Sequence, residues 1–238
     1  EQDAPFTVTR ALIDKMILEA YMEEESHTGN TKIIKNEDHH IVEKSIIDVA
    51  LNGYTIADPY DREAREIAIA HVRGLVPSAI LAALEDVEKH ARSDISMRVH
   101  TSALVRYSAL RDLYPQVKNA LVIAVSGEAT EIELVHNGIL YESVAIASGV
   151  HSLIRDIADR SNTIHDEARS LLRAYRTDVL AAAHEKILDG AQAHYADALV
   201  AAVQKLRLRY VLPRTVFLVL EAGTEQFFTD AIERALPS

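Results

Sequence analysis

The amino-acid sequence predicts an α/β fold in which a small α+β unit is followed by a sheet covered by helices. Residues 119–149 have the pattern of three consecutive strands, most of residues 150–209 follow a helical period, and residues 215–220 return to a strand. Strands followed by helices and then by another strand pack as helices on a sheet. A chain of 238 residues is long enough for one large domain or two small ones.

The first half of the chain predicts an amphipathic helix and then a small α+β unit. Thr7 or Thr9 is expected to cap the helix, which runs to about residue 25. The period then changes to two, and Asn52-Gly53 supplies the positive φ angles of a hairpin turn. The expected strands are residues 32–35, 41–49, 55–56, 65–72 and 95–99, and the expected helices are residues 78–91 and 101–113.

Residues 119–149 predict three strands joined by two tight turns. The run over residues 121–125 is apolar throughout, which favours a buried strand. Residues 126–129 form the first turn, and Asn137-Gly138 indicates a hairpin turn. The third strand leads through Ser148-Gly149 directly into a helix. A strand, a small-residue turn and a return strand can present backbone N–H groups to a phosphate.

The rest of the chain predicts helices, one strand and a last helix. Residues 150–158 carry an apolar stripe, and Asn162 or Thr163 is expected to cap the next helix. A long helix is expected over residues 178–209; Gly190 lies inside it at a cost of about 1 kcal/mol and is a candidate position for a break. Residues 215–220 predict a buried strand, and Gly223 or Thr224 starts the last helix.

Composition and charge exclude several classes of function. The formal net charge of −11 is unfavourable for general binding to nucleic acid or to anionic membranes. The absence of cysteine excludes disulfides, thiol catalysis and thiolate metal sites, and it fits a cytoplasmic protein. With no apolar run of about 18 residues and no signal peptide, any membrane link is expected to come from a partner or from sequence outside this chain.

Catalytic and metal-binding motifs are not predicted either. The histidines lack the HExxH spacing of a zinc enzyme, and Ser148 before Gly149 does not make a nucleophile elbow. We therefore expect no catalytic residue and no metal site. Because the sequence begins at Glu1 rather than at a methionine, we expect it to be part of a longer protein.

The residues around the first of these turns resemble the second phosphate loop of the actin-like ATPase superfamily, of the FtsA and PilM type. In those families a strand ending in Asp-Ile-Gly-Gly precedes a Gly/Glu-Thr-Thr-Asp return strand and then a Gly-Gly helix start. This chain has Ala-Val-Ser-Gly over residues 124–127, Glu-Ala-Thr-Glu over residues 128–131, and Ser148-Gly149 before the helix. The framework is similar, but Ala124 stands where the family has an acidic residue.

The resemblance implies an actin-like (ribonuclease H-like) half with an additional small α+β subdomain. It assigns residues 1–30 to a helix that continues from a missing N-terminal region, residues 31–115 to the subdomain, and residues 116–238 to the second actin-like domain. The first phosphate loop of the family lies upstream and is absent from this sequence.

The nucleotide-contacting motifs of the family are only partly kept. Glu167-Ala168-Arg169 retains the start of a Glu-Ala-Glu-x-x-Lys motif that contacts sugar and base, and Leu220-Glu221 replaces two glycines of the adenosine loop. Glycine allows a close backbone approach to a ligand, so this replacement is expected to close the adenine slot. If a nucleotide binds, its pocket is expected to comprise Ser126, Gly127, Glu128, Thr130, Gly149, Glu167 and Gly223.

Simpler interpretations remain open for these residues. Residues 126–129 can be a tight strand connection without a ligand, and Glu167 can be a solvated helix residue that interacts with the helix dipole. Tyr54 and Tyr60 lie beside turns and are candidates for partner contacts, although half-buried packing residues are the alternative.

The function implied by this resemblance is a degenerate actin-like scaffold of a membrane-associated bacterial machine, for cell division or type IV pilus or secretion assembly, without ATP hydrolysis or a cofactor. It would be cytoplasmic, peripheral to the inner membrane through protein partners, with no nucleic acid, and self-association as a homo-oligomer stays open. The first alternative is an active FtsA/PilM-type protein that binds ATP and Mg²⁺. The second is an α/β protein unrelated to actin, and it fails if residues 215–220 join the sheet of residues 119–147 parallel to its first strand.

Overall fold

The computed structural model describes residues 4–27, 39–91, 97–176 and 180–236. The strand expected at residues 32–35 lies outside these ranges. The chain divides into two units, Glu1–Ala109 and Leu110–Ser238.

The first unit is an antiparallel sheet with helices. Its elements are β1 (Phe6–Thr7), α1 (Arg10–His27), β2 (His39–Leu51), β3 (Tyr54–Thr55), β4 (Glu63–Ala64), β5 (Ile67–Pro77) and α2 (Ser78–His90), and α3 (Ser102–Leu113) crosses the boundary between the units. The strand order is β3-β2-β5, and β1 pairs with β4. A small core, made of Val8, Ile13, Val49, Leu51 and Ala64, is buried in this unit.

Local sequence determines two features of this unit as predicted. Asn52 and Gly53 adopt φ angles of 50° and 82°, so the Asn-Gly turn joins β2 to β3 in the left-handed conformation that a type I′ turn requires. Thr9 caps α1, because its Oγ1 accepts a hydrogen bond of 3.2 Å from the backbone N–H of Leu12.

The strand predicted at residues 95–99 is wrong where the structure describes it. Residues 97–101 have no strand partner and no regular structure. Two of their backbone donors bind side chains instead: Glu88 Oε1 accepts from the N–H of Met97 at 3.1 Å, and Glu43 Oε2 accepts from the N–H of Thr101 at 3.1 Å. Carboxylates thus replace the ladder that a neighbouring strand would provide.

Glu43 connects β2 to the start of α3. Its side chain is 7% exposed and accepts hydrogen bonds from the ring of His100, from the N–H of Thr101 and from Thr101 Oγ1. Burial alone would raise the pKa of the Glu43 carboxyl, but the hydrogen bonds from His100 and Thr101 outweigh it and hold the pKa below its usual value. The ionised carboxylate is therefore the form that the fold stabilises.

The second unit is a four-stranded sheet covered by helices. Its elements are β6 (Ala120–Val125), β7 (Thr130–His136), β8 (Ile139–Ile146), α4 (Val150–Ser161), α5 (His165–Arg173), α6 (Ala182–Arg207), β9 (Val216–Val219) and α7 (Glu225–Ala235). The strand order is β8-β7-β6-β9. Strand β7 pairs antiparallel with both β6 and β8, and β9 pairs parallel with β6. This pairing is the one that actin kinship requires.

The core of the second unit lies between one face of the sheet and its helices. All six residues of β6 are buried, and Leu121, Ile123 and Val125 point into this core. The predicted stripe on α4 is buried in full. Phe227 and Phe228 of α7 are 1% and 0% exposed and meet at 5.4 Å between ring centres, edge to face.

Three local predictions in this unit are wrong. Asn162 ends α4 with a φ of 52°, and Ile164 precedes the first turn of α5, so neither Asn162 nor Thr163 caps α5. Asparagine tolerates the left-handed conformation, which makes it a helix terminator here. Helix α6 continues through Gly190, because packing outweighs the propensity cost. Strand β9 is half-buried rather than fully buried.

Replacing Glu43 by glutamine should lower the free energy of unfolding of the first unit by about 2 kcal/mol at neutral pH, since hydrogen bonds to a buried charged group contribute about 1.5–3 kcal/mol. Because the folded-state pKa of Glu43 is lowered, its contribution is complete above the unfolded-state pKa and is lost as pH falls through the folded-state pKa. Urea unfolding at several pH values measures both effects. Glu63→Gln, at an exposed carboxylate of the same unit, is the control and should change stability by less than about 0.5 kcal/mol.

Candidate functional site

Five of the seven predicted nucleotide-binding residues lie together where β6 ends and α4 begins. The turn between β6 and β7 is closed by a hydrogen bond of 2.8 Å from the N–H of Ser126 to Ala129 O. Ser126 Oγ donates to the same carbonyl at 2.8 Å and accepts from the N–H of Ala129 at 3.3 Å. Both hydrogen bonds of the Ser126 hydroxyl therefore lie within the turn and stabilise it.

The first amides of α4 bind the carbonyls of this turn. The N–H of Val150 donates to Ser126 O at 2.9 Å, and the N–H of His151 donates to Gly127 O at 2.6 Å. The amide of Gly149 donates to Ser152 Oγ at 2.7 Å. The first N–H groups of a helix are otherwise the donors that hold an anion. Here three of these amides already have acceptors within the protein.

Gly149 makes this contact sterically feasible. A Cβ atom on it would lie 2.4 Å from Ser126 O, 2.7 Å from Gly127 O and 2.7 Å from the backbone nitrogen of Ala129. All three neighbours are backbone atoms, which cannot rotate away. Glycine is required at this position by the close approach of the helix start to the turn.

Glu128 places a carboxylate beside the start of α4. Arg155 donates to it twice, at 3.0 and 2.7 Å, and His151 Nδ1 lies 3.5 Å from Oε1. The hydrogen bonds from Arg155, with the nearby charges of Arg155 and His151, lower the pKa of the Glu128 carboxyl. Glu128 is thus paired with Arg155, whose positive charge is no longer available to a phosphate at the start of α4.

Thr130 is fully buried and bonded within the core. Its Oγ1 donates to Ser148 O at 2.7 Å and accepts from the hydroxyl of Tyr195 at 2.8 Å. Burial raises the pKa of Tyr195 to about 12, so its hydroxyl keeps the proton that it donates. Thr130 thereby connects β7, the turn before α4, and α6.

The turn after β9 is bridged to α5 by ion pairs. Glu221 Oε1 accepts from Arg169 at 3.2 Å and from Arg173 at 3.0 Å. The N–H of Gly223, which has a φ of 84°, donates to Glu225 at 2.8 Å. Glu221 is the residue that stands in place of a family glycine, and its carboxylate now occupies the space between the turn and the helix.

Glu167 lies on a different side of α5 from these arginines. It is exposed and lines an open cleft of about 450 Å³. The other lining residues of the cleft are Thr163, Asp166, Ser170, Leu171 and His184. The structure therefore places Glu167 apart from Glu221, the residue with which Arg169 and Arg173 form ion pairs.

The two candidate partner-contact tyrosines have different surroundings. Tyr54 is 76% exposed at the β2–β3 hairpin, so it is not a half-buried packing residue. Tyr60 is 39% exposed, and the guanidinium of Arg10 lies 6.0 Å from its ring centre. Both side chains are accessible, and their role in partner binding stays a prediction.

Sequence reasoning missed the arginines that hold the two carboxylates. His151 and Arg155 are four residues apart on α4, and so are Arg169 and Arg173 on α5. Residues at this spacing share one face of a helix. The spacing was visible in the sequence, but the position of Glu128 or Glu221 opposite each pair was not.

Neither a metal site nor a membrane-spanning helix occurs in the described ranges. Within them, no three His, Asp or Glu side chains come together as a metal site. No helix in those ranges is long and apolar enough to cross a bilayer.

Comparison with solved structures establishes the fold. The chain superposes on the PilM-PilN type IV pilus biogenesis complex with a TM-score of 0.58 and 13% identity, covering 96% of this chain and 63% of the other. The protein EutJ from Carboxydothermus hydrogenoformans (TM-score 0.44, 16% identity, 56% and 46% covered) and the archaeal actin homologue Ta0583 (0.39, 17%, 57% and 45%) also match. The chain thus spans less than two thirds of the length of each. The fold is that of the actin-like ATPases.

Sequence comparisons add no further relatives. No protein-family model matches the chain. No curated protein matches it either.

Replacing Gly149 by alanine should destabilise the second unit by about 1–3 kcal/mol or more, because the added methyl group overlaps three backbone atoms. Gly127→Ala is the matched control. Its Cβ would meet only the His151 ring, at 2.9 Å, and a side chain can shift. Its free energy of unfolding should stay within about 1 kcal/mol of the original. Equal losses for the two variants in urea unfolding would contradict the role given to Gly149.

Proposed function

We propose that this chain belongs to an actin-like scaffold or adaptor protein of a membrane-associated bacterial machine, and that it does not hydrolyse ATP. The proposal rests on one observation: the groups that could bind a nucleotide already form hydrogen bonds and ion pairs within the protein. The first amides of α4 bind the turn carbonyls, Glu128 is held by Arg155, and Glu221 is held by Arg169 and Arg173.

These features oppose the binding of a nucleotide at two places. A phosphate at the start of α4 would have to displace the carbonyls of Ser126 and Gly127 and would lie near the carboxylate of Glu128. A base or ribose beside α5 would have to break the ion pairs of Glu221. ATP and Mg²⁺ therefore do not fit the residues present, and we derive no catalytic step from them.

The type IV pilus branch is the one that we favour. The solved structure with the TM-score of 0.58 is a PilM-PilN complex of type IV pilus biogenesis, and its likeness extends over 96% of this chain. A cell-division role of the FtsA type remains a second proposal, which rests on the sequence resemblance alone. In either case the partners proposed are proteins, and any membrane association is through them.

The domain division that we propose follows the same resemblance. Residues 31–115 form the small α+β subdomain, and residues 116–238 form the second actin-like domain. Tyr54 is the exposed aromatic of the subdomain that we propose for a partner contact. Its position at a hairpin tip suits such a contact.

An active ATP-binding protein is the second candidate, with a specific observation in its favour. The four-stranded framework is kept, and Gly127 and Gly149 remain at the strand end where an actin-like fold holds phosphate. In that candidate Ser126, Gly127, Glu128, Thr130, Gly149, Glu167 and Gly223 would line the pocket.

Thermal melting with about 1 mM Mg-ATP distinguishes the two candidates when it is done on a protein extended upstream of Glu1, in which the ATP-binding candidate has its first phosphate loop. A ligand at about 100 times its dissociation constant stabilises the folded state by about 2.7 kcal/mol, which raises Tm by roughly 5–10 °C in a protein of this size. The scaffold proposal predicts a shift of less than about 1 °C and no phosphate release. A shift of several degrees, lost in the exposed-residue variant Glu167→Ala, would falsify it and support the ATP-binding candidate.

A further inference from the structure

A groove of the second unit lies at the start of β9, at the other end of this strand from the candidate nucleotide site. Strand β9 runs from Val216, which lines the groove, toward Glu221 at the candidate nucleotide site. The groove has a volume of about 670 Å³ and lies beside the connection from α6 to β9. Its lining is largely apolar, made of Tyr210, Val211, Leu212, Pro213, Val216 and Leu236.

The rim of this groove is basic. Arg207 and Arg214 line it from the two ends of the α6–β9 connection. Both side chains are exposed, and neither has an ion-pair partner among the described residues. Arg209, between them, is instead held by Glu142 at 2.9 Å. Two guanidinium groups at the edge of an apolar groove are therefore free to bind an anion.

The charge of this segment is opposite to that of the chain. Residues 205–214, KLRLRYVLPR, contain four basic residues and no Asp or Glu, whereas the whole chain has a formal charge of −11. A local cluster of one sign in a protein of the other sign attracts partners of complementary charge.

Two large apolar side chains next to the rim are exposed to an unusual degree. Leu208 is 87% exposed and Val211 is 94% exposed. Tyr210, between them, is fixed in place, because its hydroxyl donates to Glu142 at 2.8 Å and its ring packs edge to face on Tyr141 at 5.4 Å. The apolar side chains are thus presented by an anchored segment.

We propose that this groove, lined by Arg207 and Arg214, binds an acidic, apolar peptide segment of a protein partner. The apolar walls accept one or two aliphatic or aromatic side chains, and the two arginines bind carboxylates that flank them. A peptide fits better than an anionic membrane, because the surface is concave. The proposal is independent of the nucleotide question.

The test is fluorescence anisotropy with a short labelled peptide of alternating glutamate and leucine residues. We expect saturable binding that weakens with salt, and about tenfold or greater loss of affinity in the double variant Arg207→Glu, Arg214→Glu. The same peptide with lysine in place of glutamate should not bind. Circular dichroism melting checks that the variant folds, and Arg207→Gln, Arg214→Gln provides a second variant without charge reversal.

Lys186→Glu is the control for bulk charge, and it is compared with the single variant Arg214→Glu, which changes the net charge by the same amount. Lys186 is an exposed residue of the same helix as Arg207, about 31 Å away at 1.5 Å per residue. This variant should bind the acidic peptide as the unmodified chain does. An equal loss of affinity in Lys186→Glu would mean that net charge rather than the groove controls binding, and it would overturn the proposal.

Three further results would also overturn it. One is no saturable binding of the acidic peptide up to about 1 mM. Another is sedimentation of the chain with phosphatidylglycerol and phosphatidylcholine vesicles, lost in the double variant, without peptide binding, which would assign the groove to a membrane. The third is a change of oligomeric mass by light scattering in the double variant, which would assign it to a second copy of the chain.

Discussion

The contact between Gly149 and the turn after β6 is the constraint on which the second unit depends. It brings the start of α4 within hydrogen-bonding distance of Ser126 and Gly127, so the helix begins directly at the end of the central strand. From that start, the apolar face of α4 is buried in the core that the helix shares with the sheet. The same close packing takes the helix amides away from any ligand, so one contact determines both the packing of this unit and the limits on its chemistry.

Ion pairs then limit what the candidate nucleotide site can bind. Glu128 and Glu221 are two carboxylates at positions where an actin-like fold would approach a nucleotide, and each is held by arginines of an adjacent helix. Exposed ion pairs contribute little to stability, typically less than about 1 kcal/mol. Their effect here is on recognition, because the carboxylates fill space and pair with arginines that a phosphate could otherwise bind. A fold of a nucleotide-binding class can in this way be kept while its ligand chemistry changes.

The two ends of β9 and their surroundings differ in charge and in accessibility. At the end beside the candidate nucleotide site, carboxylates paired with arginines surround amides that are already bonded. At the other, unpaired arginines border an apolar groove beside exposed aliphatic side chains. A scaffold needs surfaces that recognise other chains more than it needs a catalytic centre, and this distribution is consistent with that requirement.

The sequence by itself determined the regular elements and the tight turns. The apolar run of β6, the Asn-Gly turns at residues 52–53 and 137–138, and the stripe on α4 all depend on local periodicity or on left-handed backbone, which short segments encode. Local rules failed where distant groups competed, as at residues 97–101, whose backbone donors are taken by Glu43 and Glu88.

Only the tertiary structure decided the state of the candidate site. The sequence identified Glu128, Glu167 and Glu221 as relevant, but it could not show that Arg155, Arg169 and Arg173 reach two of them and that Glu167 lies elsewhere. It also could not show that residues far apart in the chain, such as Arg207 and Leu236, line one groove. Hydrogen bonds, ion pairs and grooves of this kind join residues from separate elements, and their distances exist only once those elements have packed.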